Sequence, residues 1–248
     1  MTTICLPSIG MVTSLTMSTS QSPLQPFGTS DLNALRKVIQ TTFQSTRLVV
    51  QYIEDLPNHF HQVRLLHLSN GSRLVLKISP PASVPLLKHE RQALETEALA
   101  LALLDQSGLP IPSIVRHEKS GKSLGSPFLI TTSLRGLSLA DVLPIMNRSD
   151  RLAIERQIST LEMEIAQHVS LTYGPMPLVS SGQGHVTWRE AYKAMLESVL
   201  KDAEDVFLNL PYSQIREQVA RTEGALDEVQ EARLIVLGLG DAKNILID

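Results

Sequence analysis

Lys77 and Glu97 are the residues whose types and setting suggest chemistry most directly. Lys77 lies in Leu74-Val75-Leu76-Lys77-Ile78, an alternating strand pattern. Alternation puts Leu74, Leu76 and Ile78 on one face and Arg73, Val75 and Lys77 on the other. Glu97 falls on the apolar stripe of a helix, with Leu94 three residues before it and Leu101 four after. An unpaired carboxylate on a core face is very costly, so Lys77 is its candidate partner. From the strand alone, Lys77 reads equally well as a strand-edge lysine kept for solubility; the glutamate on the next helix favours the pair. Glu90 and Glu95 read as solvent-facing residues of the same helix.

A second candidate is the stretch Leu234-Ile-Val-Leu-Gly-Leu-Gly-Asp-Ala-Lys-Asn-Ile-Leu-Ile-Asp248. Ile235–Leu237 and Ile245–Ile247 read as strands, and Gly238, Gly240 and Asp241 break the run between them. A tight polar loop between buried strands can hold catalytic side chains at a cleft; by itself it is more simply a hairpin rim. His59 and His61 have ligand-like spacing but no third ligand nearby, and a solvated loop is the favoured reading.

Several elements must position these groups. Ser30-Asp31 reads as a helix cap, and Leu32, Leu35, Val38 and Ile39 carry a helix to about Gln44. Strands are expected over Arg47–Ile53, Val63–Leu68 and Arg73–Ile78. The last two are joined by Asn70-Gly71 as a tight hairpin with positive φ at both central residues. The Glu97 helix spans about Leu86–Asp105, and Pro110 and Pro112 impose an extended path after it. Strands follow at Ile114–His117 and Phe128–Thr132. From Ser138 the pattern turns helical: Ile154, Ile158, Leu161, Ile165 and Val169 keep a 3.6 period, closed by Pro175 and Pro177. Trp188, Tyr192, Met195 and Val199 form the stripe of a further core helix, and Ile215–Val229 continues the helical part.

The chain has 248 residues, 43% hydrophobic, enough for one domain of two lobes or two small domains. A net charge of −3 gives no footprint for nucleic acid or anionic membrane. One cysteine, Cys5, excludes an internal disulfide framework and fits a reducing, cytoplasmic compartment. No apolar run approaches the roughly 18 residues of a membrane span, and Met1–Gly10 lacks the basic start of a signal peptide. Residues 1–29, rich in Ser, Thr and Pro, read as a disordered tail.

The wording of 234–248 resembles the catalytic loop of the aminoglycoside phosphotransferase and choline kinase-like enzymes, which share the protein kinase fold. That loop runs hydrophobic-x-His-x-Asp-x-x-x-x-Asn, then three apolar residues and often Asp. Set on Asn244-Ile245-Leu246-Ile247-Asp248, the pattern places Gly238 where the catalytic Asp belongs and Val236 where the His belongs. Asn244 keeps the metal-binding position. Lys77 resembles the strand lysine that grips the α- and β-phosphates, and Thr96-Glu97-Ala98 matches the segment with the helix glutamate. Gly-Ser-Pro-Phe-Leu-Ile-Thr-Thr-Ser-Leu-Arg-Gly, ending at Gly136, resembles the hinge between lobes; the backbone of Thr132 to Leu134 would meet an adenine edge there, and a plain linker is compatible. The loop from Leu56 matches the phosphate-covering loop in position only, because it has no glycine. Thr187-Trp188-Arg189-Glu190-Ala191 and Leu210-Pro211-Tyr212 resemble fungal members.

The resemblance covers about residues 47–248. It implies an α+β, protein kinase-like fold of two lobes: an N-terminal nucleotide-binding lobe over 30–134, with an antiparallel sheet and a helix, and a partial, mostly helical lobe over 135–248. It implies ATP and magnesium as cofactors and transfer of the γ-phosphoryl to a small-molecule hydroxyl. With Gly238 lacking any group to deprotonate that hydroxyl, the enzyme is expected to be impaired or inactive. Asp241, only three positions before Asn244, is out of register as a substitute. The chain ends before the strand in which the family carries its second metal carboxylate, so a truncated gene product, or an intron misread near Leu237, is expected. Ile245–Ile247 would then be a strand with an open edge. The alternatives are a non-catalytic relative that binds nucleotide or a partner, and a fragment without function.

Overall fold

The computed structural model describes residues 4–5, 29–56, 61–81 and 83–248. The expected tail over 1–29 lies almost wholly outside the described residues, as do His59 and the rest of 57–60.

The architecture is α+β. Five strands form an antiparallel sheet: β2 (Val50–Leu56), β3 (Gln62–Leu68), β4 (Arg73–Ile78), β5 (Ile114–Glu118) and β6 (Phe128–Thr132), in the order β2-β3-β4-β6-β5. Helix α1 (Thr29–Thr42) lies on one face. Its Leu35, Val38 and Ile39 pack with Leu66, Leu74, Leu76, Ile78, Phe128 and Ile130. These strand positions alternate with those of the opposite face, where α3 (Ala93–Leu104) packs Leu94, Ala98, Leu101 and Leu104 around Leu129. The sheet therefore has apolar cover on both sides, and β4 has a hydrogen-bonded neighbour along each edge. Lys77 sits opposite Val63 on one side and Leu129 on the other, so it is a central residue, not an edge lysine kept for solubility.

The turn between β3 and β4 differs from the expected one. Only Gly71, at φ +82°, takes the left-handed region, and Asn70 does not. Leu68 N–H donates to the Ser72 carbonyl at 2.9 Å, closing a three-residue loop. Asn70 Oδ1 accepts from the Ser72 amide at 3.0 Å and its hydroxyl at 2.6 Å. This is a turn followed by a left-handed glycine. Asn70 contributes its side chain instead of a positive φ.

The expected helix over 86–105 is two helices, α2 (Lys88–Arg91) and α3, broken at Gln92. Glu90 Oε2 accepts the Leu87 amide at 2.8 Å, and the Lys88 amide donates to Asp202 Oδ2 at 2.9 Å. Asp202 belongs to α7 (Trp188–Asp205) and is buried there. Its carboxylate holds the start of α2 against the second half of the chain, a long-range tie that no local pattern carries.

After the sheet come β7 (Leu137–Ser138), α4 (Leu139–Val142) and α5 (Arg148–Ile165). Asn147 caps α5 by accepting the Asp150 amide at 2.9 Å. Ile154, Leu161 and Ile165 are buried. Val169 is not on that stripe: it is exposed and lies in β8 (Val169–Ser170), which pairs with β9 (Ala232–Arg233). Pro175 and Pro177 do not close α5. They begin α6 (Met176–Ser180), Pro177 falling within its first turn. In α7 the buried residues are Ala191, Leu200 and Asp202, while Val199 is exposed, so the expected stripe is rotated from the core. Helix α8 (Tyr212–Thr222) has no fully buried residue.

The final stretch also departs from expectation. Ile235–Leu237 is not a strand; the strand ends at Arg233, and Ile235 and Leu237 are exposed. Nor is the last strand open-edged. Strand β10 (Leu246–Ile247) pairs antiparallel with β7 on one side and with β1 (Ile4–Cys5) on the other. Partners remote in sequence satisfy both edges.

Candidate functional site

Strand β4 and helix α3 bring the two charged groups together. Lys77 Nζ donates to Glu97 Oε1 at 2.5 Å, with the two side chains 7% and 5% exposed. The alternation of β4 turns Lys77 toward the face that α3 covers. The spacing of Leu94, Glu97 and Leu101 turns Glu97 toward it in return. Such burial separates this pair from the Lys119–Glu95 pair, which is far more exposed.

His61 joins them. Spacing alone favours a solvated loop for it, but it is buried. It directly precedes β3, two residues before Val63, which is opposite Lys77, so strand alternation carried one residue further puts it on the Lys77 side. Burial, and then the Lys77 ammonium, push the imidazole down from an ordinary 6.5 to about 4, with Glu97 opposing the shift. The ring is neutral at neutral pH. Its spacing two residues before Val63 is the one signal that the sequence offers.

At the end of the sheet, Thr132 is fastened to the segment before β5: its amide donates to the Ser113 carbonyl at 3.0 Å, and its Oγ1 accepts the Ser113 amide at 2.9 Å. The Ser133 amide donates to the Arg73 carbonyl at 3.2 Å, and the Leu134 carbonyl accepts the Ser133 hydroxyl at 3.3 Å. The amides of Thr132 and Ser133 are thus already used within the protein. Gly136 follows at φ +125°, and a Cβ there would come within 2.7 Å of the Ile247 carbonyl. Only glycine allows β7 and β10 this close.

That approach carries the stretch 234–248 to the segment that follows β6. The Leu139 amide donates to the Ile245 carbonyl at 2.9 Å. Leu239 and Ile245 enter the core that holds Leu94, Ala98, Leu101 and Leu129. The loop and the Lys77–Glu97 pair are therefore built around one apolar cluster. Within the loop, Gly238 has φ +76° in a turn. Asn244 Nδ2 donates to the Gly238 carbonyl at 3.0 Å, and Asp241 Oδ1 accepts the Lys243 amide at 3.0 Å. Asn244 is half-buried, and Val236 packs partly against the core.

A lysine held by a buried carboxylate suits a phosphate chain. The fit to magnesium is thinner. That ion usually takes one or two carboxylates together with substrate phosphates. Here Asn244 offers Oδ1, since its nitrogen is committed to Gly238. Among the described residues no group of three His, Cys, Asp or Glu could hold a metal. No described helix is long and apolar enough to cross a membrane.

Residues 55–163 match the model of the phosphotransferase enzyme family. They contain both Lys77 and Glu97. No curated protein matches the chain. Among solved structures, a fructosamine-3-kinase candidate from Thermobifida fusca YX-ER1 is similar at 20% identity, with a TM-score of 0.45 over 78% of this chain and 62% of that one. Monomeric WbdD is similar at 17% identity, with a TM-score of 0.34 over 75% of this chain and 52% of that one. The chain spans less than two thirds of either protein.

Proposed function

We propose that the chain binds ATP in the manner of the small-molecule phosphotransferases, and that γ-phosphoryl transfer to a substrate hydroxyl is the chemistry of its site. One observation carries this: a buried Lys77–Glu97 pair inside the segment that matches the phosphotransferase family. In this reading Lys77 holds phosphate oxygens and Glu97 orients Lys77. The backbone at Thr132–Leu134 borders the adenine, with Leu134 the residue placed beyond the sheet's own hydrogen bonds. Asn244 supplies one oxygen to magnesium, which neutralises charge on the phosphates.

Phosphoryl transfer depends mainly on positioning and charge neutralisation. The positioning groups are present, but Gly238 and Val236 stand where a base and its neighbour are expected. Glycine at φ +76° serves the turn there. Loss of a general base removes roughly 10²–10⁴-fold in rate. This favours a second reading beside the first, a nucleotide-binding relative with slow transfer or none. The acceptor, if transfer occurs, is a small-molecule alcohol.

Thermal shift with ATP, with and without magnesium, tests binding, and ADP release tests transfer. The proposal expects a shift that Lys77→Ala abolishes. No shift under any condition removes both readings. ADP release that survives Lys77→Ala removes the assigned role of Lys77.

A further inference from the structure

We propose that His61 is a third member of the anion site: its imidazole binds phosphate oxygens beside Lys77, and it takes up a proton from solvent as the nucleotide arrives. This rests on the ATP-binding reading above. His61 is 8% exposed and directly precedes β3; carried one residue beyond the Gln62–Ile78 pair, the register puts it one diagonal step from Lys77. Such diagonal neighbours are roughly 7–8 Å apart, still within reach of long side chains. An anion held by the Lys77 ammonium therefore lies within reach of the imidazole too.

The charges decide the direction. Lys77 from β4 and Glu97 from α3 both act on His61. Without an anion, burial and Lys77 keep the ring neutral. A polyphosphate beside Lys77 adds several negative charges to a poorly solvated site, which favours the imidazolium. An imidazolium donates from both nitrogens, a neutral ring from one. One proton is gained and no other bond changes. Binding should then tighten as pH falls, by up to about tenfold per unit between the free and bound values.

Calorimetric titration with ATP–magnesium near pH 5.5, in two buffers of different ionisation enthalpy, counts the protons taken up. Comparison with His61→Gln removes the contribution of the terminal phosphate, which titrates in a similar range. The wild type should take up more protons than the variant and show a steeper rise in affinity toward low pH. Equal uptake and equal pH dependence in the two proteins would overturn the proposal. Should His61→Gln not fold, the ring resonances of His61 in the wild type serve instead: their titration should move upward from about 4 when ATP is present, and an unmoved titration at saturating ATP refutes it. Absence of ATP binding at every pH is a separate outcome. It overturns the phosphotransferase reading first and this inference with it.

Discussion

Breaking the Lys77–Glu97 pair one partner at a time should cost far more than removing both. The side chains are 7% and 5% exposed, so water cannot replace a lost partner. Deleting one member of a buried ion pair typically costs about 3–5 kcal/mol, against about 0.2–1 kcal/mol for an exposed pair. Replacing both with apolar residues of similar volume is often neutral or stabilising. Glu97→Gln keeps shape and an acceptor oxygen but leaves a buried ammonium without its anion, so about 3 kcal/mol is expected. Lys77→Met leaves a buried carboxylate and should cost a similar amount. Lys77→Met combined with Glu97→Leu should recover most of the loss, to within about 1–2 kcal/mol of the wild type. Against a usual domain stability of about 5–15 kcal/mol, the single changes are easily read. Urea unfolding at pH 7, followed by circular dichroism, gives each value and the coupling energy between the sites. The double variant should be folded and fail to bind ATP, separating stability from binding. A cost below about 1 kcal/mol for Glu97→Gln, or a double variant as unstable as the sum of the singles, would refute a buried, mutually dependent pair.

Three further outcomes are expected. Gly136→Ala should destabilise by about 2 kcal/mol or more in urea, because its Cβ meets the Ile247 carbonyl at 2.7 Å and the backbone has φ +125°; Gly71→Ala, at φ +82° with open space around it, should cost less. Asp202→Ala removes the acceptor of the Lys88 amide and its ion pair at 3.3 Å, so hydrogen exchange should speed up in α2 before the sheet is affected. His61 has a folded value near 4, below the ordinary 6.5, so it contributes stability above pH 6.5 that is lost as pH falls toward 4, about 3 kcal/mol in all; His61→Gln should flatten that part of the stability profile.

The local elements that carry the Lys77–Glu97 pair were legible because each rests on a short-range rule. Strand alternation assigned the faces of Leu74, Leu76 and Lys77, and helical spacing placed Glu97 beside Leu94 and Leu101. The turn at Asn70-Gly71 was located correctly, yet its geometry was not: an Asn side chain can stabilise a turn by hydrogen bonding without adopting positive φ. Val169 extended a helical period past the end of its helix, since periodicity does not see where the chain turns away. His61 was missed because a polar residue just before a strand is usually solvated, and its place beside Lys77 and Glu97 depends on groups far along the chain.

What the sequence alone determined is therefore local: which residues can be strand or helix, which face each presents, and that a carboxylate on an apolar stripe requires a cation. Tertiary structure decided the rest. It put neighbours on both edges of β4, seated Asp202 at the start of α2, and closed the edges of β10 with β1 from the start of the chain and β7 from its middle. These outcomes depend on contacts between residues far apart in sequence. Such contacts are set by how whole surfaces pack together and by the entropy of closing the loops between them, and neither quantity is written in any short window of residues.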